Sequence, residues 1–241
     1  MISGGGEEAL PTAGRPEAGA VRAMFGGIAT RYDLLNSVLS LGEDRRWRRR
    51  AAQLTRLPRG GRALDVCTGT GSLARLLRRR VGPEGTVLGV DITEEMLSLA
   101  AGAVPEVEFR FGDALDLPVS DRQFDAATMA FGLRNIADHR RALEELWRAL
   151  RPGGRVVILE FSTPQALMRP WYRQYSRWVI PLLARVLLGR TGAYRYLTAS
   201  ISTFPGPEVV SGWLREAGFE RVRYHRMTWG IVALHTGRRP Q

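Results

Sequence analysis

Apolar residues change their spacing along the chain, and the changes mark its elements. Over residues 21–57, Met24, Phe25, Ile28 and Tyr32 recur at three- and four-residue intervals, which predicts an amphipathic helix. Asp44 is placed to cap a second helix that carries Trp47, Ala51 and Leu54 on one face. From Arg62 onward, short apolar runs alternate with helical patterns. Strands are predicted at residues 63–67, 86–90, 107–111, 124–131 and 155–161, and helices at 73–81, 94–103 and 138–150. Such βαβ alternation builds a parallel sheet covered by helices on both faces. Then the pattern breaks. Residues 164–202 are rich in Trp, Tyr and Arg and read as helical. A helix over 207–217 stops at Gly218. Residues 220–227 and 231–236 read as strands around Thr228-Trp229-Gly230, so the sheet is expected to close with an antiparallel hairpin.

This pattern divides the chain. Residues 1–20, with acids, glycines and prolines, read as a disordered tail. Residues 21–60 form a helical extension. Residues 61–241 form one α/β domain with a helical lid inserted at about 164–203. A length of 241 residues fits one such domain with extensions.

The first strand runs into Asp65-Val66-Cys67-Thr68-Gly69-Thr70-Gly71 and then a helix. Glycines there let the backbone approach a ligand, and the helix N-terminus offers free N–H groups. Asp91 closes the next strand, 20 residues after Gly71, the spacing at which an acid reaches ribose hydroxyls. Gly69, Gly71 and Ala74 also satisfy the dinucleotide pattern, which leaves a nicotinamide oxidoreductase open. Asp65 argues otherwise. An acid beside the glycines repels a pyrophosphate but pairs with a cationic amino group. S-adenosyl-L-methionine carries such a group, a sulfonium and no phosphate. Asp113 and Ala114 follow the third strand, where an acid can accept from an adenine amino group. Five parallel strands closed by a hairpin also fit a methyltransferase better than a six-stranded dinucleotide domain.

At these residues the chain resembles the quinone-biosynthesis C-methyltransferases that act on demethylmenaquinol and the related ubiquinone precursor. The resemblance runs from about Val21 to the C-terminus. It rests on Tyr32-Asp33-Leu34-Leu35-Asn36 with Ser40 and Trp47, the Asp65–Gly71 stretch, Phe131-Gly132-Leu133-Arg134-Asn135, Arg151-Pro152-Gly153-Gly154, Leu159-Glu160-Phe161-Ser162, and Gly230 to Gly237. It implies a class I methyltransferase fold: Rossmann-like, α/β, with a mostly parallel seven-stranded sheet and a C-terminal antiparallel hairpin. It also implies S-adenosyl-L-methionine held at Thr70, Asp91, Asp113 and Ala114. Cys67-Thr68 in the loop looks more like the menaquinone branch than the ubiquinone branch, which tends to carry Gly-Gly there.

The chemistry this implies is methylation of a ring carbon of a polyprenylated quinol. The protein must align donor and acceptor and make the acceptor nucleophilic. Arg134 and Asn135 lie just beyond the fourth strand, at the sheet edge where ligands sit. Arg134 can stabilise a phenolate but cannot serve as an ordinary base. Asn135 can orient the ring hydroxyl. Of the three histidines, His235 falls in a family-like stretch and is the candidate base. His139 reads as a surface residue at a helix start. Cys67 reads as packed beneath the cofactor loop.

Composition narrows the remaining choices. One cysteine excludes an internal disulfide framework and a cysteine-rich zinc site, which suits a reducing cytoplasm. No histidine pair has metal-ligand spacing. The net charge is +11, and all 35 basic residues are arginine. A GC-rich gene explains arginine in place of lysine but not the excess of bases over acids. That excess suits an anionic surface. A basic nucleic-acid-binding protein is the alternative from a different class. The arginines are dispersed and no RNA-binding motif is present, so no nucleic-acid partner is expected. The arginines at positions 45–50 read as the solvated face of a helix around Trp47. Residues 169–188 mix Trp, Tyr, Arg and Leu, which suits either a lid that lies against an anionic bilayer and receives an isoprenoid tail or an ordinary lid helix that packs its apolar side on the sheet. The expected location is the cytoplasm, peripheral on the membrane's inner face.

Overall fold

The computed structural model describes residues 17–179 and 192–241. Residues 1–16 of the expected tail lie outside the described residues, and Ala18 already belongs to the first helix. Seven strands form one sheet: β1 (Arg62–Val66), β2 (Thr86–Asp91), β3 (Glu108–Phe111), β4 (Phe124–Ala130), β5 (Leu150–Phe161), β6 (Glu220–Met227) and β7 (Val232–Arg238), in the order β3-β2-β1-β4-β5-β7-β6. The first five run parallel. β7 is antiparallel to β5, and β6 is antiparallel to β7.

The expected hairpin is therefore present, with its second strand on the inside. Burial accounts for that order. Val232, Ala233, Leu234 and His235 are all buried, whereas β6 exposes Glu220, Arg221, Arg223 and Arg226. A charged edge strand discourages pairing with another chain. β5 begins earlier than the pattern predicts. Its Leu150 already pairs with Phe124, and a register shift absorbs Pro152-Gly153-Gly154 before regular pairing resumes at Arg155.

Alternation along the strands feeds two cores. Ala63, Val87 and Val157 face α2 (Glu43–Leu54) and α3 (Ser72–Val81), meeting Trp47, Ala51, Leu73 and Leu77. Leu64, Leu88 and Ile158 face α5 (His139–Ala149) and α8 (Pro207–Glu216), meeting Leu143, Leu146, Val210 and Leu214. Neighbours such as Ala63 and Leu64 point to opposite faces, as a two-residue period requires. The long helix α1 (Ala18–Leu39) lies over α4 (Glu94–Ala103), where Arg22 pairs with Glu94 at 3.3 Å.

Asp44 does not cap α2. The cap is Gly42, with φ of +80°, and Asp44 sits in the first turn, where its N–H donates to Ser40 Oγ. The insertion is helical where it is described: α6 (Arg169–Gln174), a π-helical turn (Tyr175–Val179) and α7 (Gly192–Thr203). Residues 180–191 of the expected lid lie outside the described residues. Among the described residues no helix is long and apolar enough to cross a membrane.

β1 and β4 are neighbours, with β2 and β3 on one side and β5 on the other. The winding reverses between β1 and β4. The crevice beyond their carboxyl ends is where an open sheet of this kind holds ligands.

Candidate active site

The loops that leave β1 and β4 carry unusual backbone. Cys67 and Phe131 both have positive φ, +54° and +60°. A non-glycine residue in this region costs about 1–3 kcal/mol and persists where its surroundings impose it. The two loops are in contact: a Cβ on Gly132 would lie 2.5 Å from that of Cys67, so no side chain fits there. Gly71, at +76°, starts α3 and leaves room for the Phe109 ring, which a Cβ would approach to 3.0 Å.

A cavity opens beyond these loops. Asp91 closes β2 on its wall. Its Oδ2 accepts the Gly69 N–H at 2.8 Å, and its Oδ1 accepts the Thr93 N–H at 3.0 Å. Burial raises its pKa above the ordinary carboxylate value, and these backbone bonds partly restore it. Asp113, Asn135, Thr93 and Tyr32 add polar groups, and Val21, Phe25, Val90, Ile92, Met96, Ala114 and Ile136 supply apolar walls. Among the described residues the lining holds two carboxylates and no arginine or histidine. A pyrophosphate would meet two acids and no cation there. A cofactor with ribose hydroxyls, an adenine, an ammonium and a sulfonium fits that donor set, so the residues present suit S-adenosylmethionine.

Of the residues expected to hold the cofactor, Gly69, Asp91, Asp113 and Ala114 line the cavity. Asp65, Thr70 and Gly71 do not. Asp65 is buried beneath the loop, where it accepts from Thr68 Oγ1 at 2.7 Å and Thr128 Oγ1 at 2.6 Å. Burial pushes its pKa up to about 6. It holds β1, β4 and the loop together instead of facing an amino group. Thr70 donates its hydroxyl to both oxygens of Asp33 at 2.8 Å, which ties the loop to α1.

A second cavity of about 270 Å³ adjoins the first, and Tyr32 and Phe131 line both. Its walls are mainly apolar and aromatic, with Leu39, Trp47, Phe161, Trp171 and Ile201 among them. Phe131 packs against Phe161 at 4.7 Å and Trp47 at 6.1 Å between ring centres. Arg134 reaches this second cavity. Its Nη1 pairs at 2.9 Å with Glu160, which is fully buried, and its guanidinium lies over the Phe161 ring at 5.0 Å. Glu160 also accepts the N–H groups of Arg134 and Phe161. The guanidinium is therefore fixed, yet its Nε has no hydrogen-bond partner among the described residues. The same holds for Nδ2 of Asn36 on the same wall. Asn135 is engaged on both sides: its Nδ2 donates to Phe131 O at 3.2 Å, and its Oδ1 accepts from Tyr196 at 3.0 Å.

His235 lies on neither cavity. It is buried on β7 with Nδ1 3.2 Å from Ser211 Oγ of α8, and burial lowers its pKa to about 4. An expected base is thus a neutral core residue. His139 is half-buried, not a surface residue, and stacks on Trp213 at 4.7 Å. Cys67 packs against the core, as expected, and also lines the first cavity. Burial, with nearby carboxylates, holds its thiol well above the ordinary range, so it stays protonated. The arginine run is mostly exposed, but Arg48 turns inward over the Phe131 ring at 5.2 Å.

The model of the ubiE/COQ5 methyltransferase family matches residues 14–239. The chain belongs to this family. It is an S-adenosylmethionine-dependent methyltransferase. A demethylmenaquinone methyltransferase of Thermus thermophilus is 47% identical over 222 residues, covering 90% of this chain and 100% of that protein. One of Deinococcus radiodurans is 48% identical over 225 residues, covering 90% and 92%. The ubiquinone/menaquinone biosynthesis C-methyltransferase UbiE of Pseudomonas fluorescens is 43% identical over 231 residues, covering 93% and 90%. Among solved structures, a methyltransferase of Thermotoga maritima described as a possible histamine N-methyltransferase shares the fold. It has a TM-score of 0.65 at 22% identity, over 90% of this chain and 98% of that one. The second cavity is lined by α1, α2 and the insertion together with the loops that follow β4 and β5 and the β6–β7 connection. Tyr32, Asn36, Phe131 and Glu160 stood inside the quoted motifs without a role. Tyr32 and Asn36 are four residues apart on α1, the spacing that puts both on one helix face.

Proposed function

We propose that the enzyme transfers a methyl group to a ring carbon of demethylmenaquinol, producing menaquinol. The observation that carries this reading is the second cavity: mainly apolar, walled by Trp47, Phe131 and Phe161, adjoining the cofactor cavity, and lined by Arg134 and Asn36, each with a donor that has no partner among the described residues. A flat, apolar ring with hydroxyl groups suits it.

S-adenosylmethionine, when bound, supplies a methyl group already activated by its sulfonium. The protein's residues do the rest. Quinol hydroxyls ionise near ~10, by analogy with tyrosine. Arg134 holds a permanent positive charge against this cavity, and its Nε can donate to an oxygen that gains negative charge. Asn36 Nδ2 offers a second donor. Electron density on the ring oxygen raises the nucleophilicity of the adjacent carbon. Apolar walls keep water from competing for the methyl group. Asn135, locked by Tyr196 and Phe131, lines the cofactor cavity, and Tyr32 and Phe131 form the boundary between the two.

The isoprenoid tail leaves by an apolar rim. Leu41 and Trp171 stand at the second cavity and are 79% and 73% exposed; Leu167 and Trp178 are exposed close to Trp171 in sequence, and Trp229 is exposed next to Thr228 of the cavity wall. Such a rim suits a peripheral seat on the bilayer that holds the quinol. The Pseudomonas relative, named for both quinones, motivates a second acceptor, the ubiquinone precursor. Transfer from methyl-labelled S-adenosylmethionine to each reduced quinone in detergent tests both. Label mainly in menaquinol is expected. Cofactor binding without label in either quinol would refute the assignment.

A further inference from the structure

We propose that Asp44 is the general base that takes the hydroxyl proton of the acceptor. This rests on the quinol reading above. Arg134 cannot accept a proton and His235 is sealed in the core, so that reaction still needs a base.

Asp44 meets the geometric requirements. It lines the second cavity with Arg134 and Asn36. Its side chain is 12% exposed. Oδ1 accepts from Ser37 Oγ at 3.3 Å and Ser40 Oγ at 3.2 Å, which fixes the carboxylate. Oδ2 makes no hydrogen bond among the described residues; Arg48 Nε stands 3.9 Å away. One oxygen is held by the two serines; among the described residues the other has only the 3.9 Å ion pair with Arg48. The other titratable or charged groups on this cavity are Glu43, Tyr32, Tyr175 and Arg134. Glu43 accepts from Thr228 at 2.8 Å and pairs with Arg46, both through Oε2, and its side chain is 32% exposed against 12% for Asp44, so it is the more solvated of the two carboxylates. Tyr175 donates to Leu39 O. Arg134 is paired with Glu160.

The step balances as follows. Oδ2 takes the hydroxyl proton, and the electron pair moves through the ring to the adjacent carbon. That carbon bonds to the methyl group as the methyl–sulfur bond breaks. The methylated carbon then loses its own proton to water, the ring regains aromaticity, and the oxygen recovers the proton from Asp44. One proton is released overall.

The test compares wild type, Asp44→Asn and Asp44→His for label transfer to demethylmenaquinol and for S-adenosylhomocysteine binding. Asparagine keeps the shape and the serine contacts but cannot take a proton. A loss in kcat of about 10²–10⁴-fold with unchanged cofactor affinity is expected. Histidine restores part of the rate, with the acid limb of kcat near the imidazole range of ~6.5. Full activity in Asp44→Asn would overturn the proposal while leaving the quinol reading intact. Cofactor affinity lost together with activity would make Asp44 structural and also overturn it. Wild type that labels no quinol would overturn both.

Discussion

Single residues at this site are assigned by what their polar atoms already hold. Thr70, Asp65 and His235 sit in motif-like stretches, yet their partners are Asp33, two threonines and Ser211. Arg134 and Asn36 each bring to a cavity a donor with no partner among the described residues. The sequence shows residue type and spacing but not whether a hydrogen-bonding atom is spent, so these two groups could not be told apart there. His235 gives a pH test. Its pKa falls from 6.5 to about 4 in the fold because burial disfavours the imidazolium, against the attraction of Glu208. Between those values the unfolded chain binds a proton that the folded chain does not. Stability from this group is present above pH ~6.5 and is lost as pH falls toward ~4, about 3 kcal/mol in all. Asp65, raised to about 6, acts in the opposite direction, since the folded state holds its proton longer. The difference between wild type and His235→Gln in urea unfolding isolates the histidine. The pH dependence of that difference should follow the 4-to-6.5 window; a flat difference would contradict the burial of a neutral imidazole.

Elements were the most legible level. Strand and helix positions from Arg62 to Phe161 followed from apolar periodicity and turn residues, because each βαβ unit repeats the same burial demand. The hairpin was legible too. Its inverted placement was not, since it depends on β7 being the more apolar partner once β5 offers an edge. The early start of β5 was hidden by Pro152-Gly153-Gly154, which reads as a turn but is absorbed as an irregularity of pairing. The role of α1 was also hidden, because helix periodicity shows that a face is buried but not against what. The Asp33–Thr70 hydrogen bonds make α1 a cover held on the cofactor loop. Asp33→Ala is therefore expected to weaken S-adenosylhomocysteine binding about fivefold, near ~1 kcal/mol for a part-exposed charged hydrogen bond, with kcat at saturation unchanged. Calorimetry checks this; an unchanged dissociation constant would mean that α1 is held by packing alone.

The whole molecule places two cavities side by side at the reversal point of the sheet, with an apolar rim at the second. The charge of +11 and the exposed Leu167, Trp171 and Trp178 make binding to anionic vesicles the expected behaviour. Flotation should fall with salt and fall further in Leu167→Asp/Trp171→Asp; failure of wild type to float would contradict the bilayer seat. The account stands or falls on the two cavities being the two halves of one reaction site. A crystal structure with S-adenosylhomocysteine and demethylmenaquinone bound together tests it most directly. The prediction is homocysteine nucleoside beside Asp91 and Asp113, with the quinone ring among Trp47, Phe131 and Arg134 across the Tyr32–Phe131 boundary. A ring bound anywhere else, with the Trp47 cavity left to solvent, would contradict it.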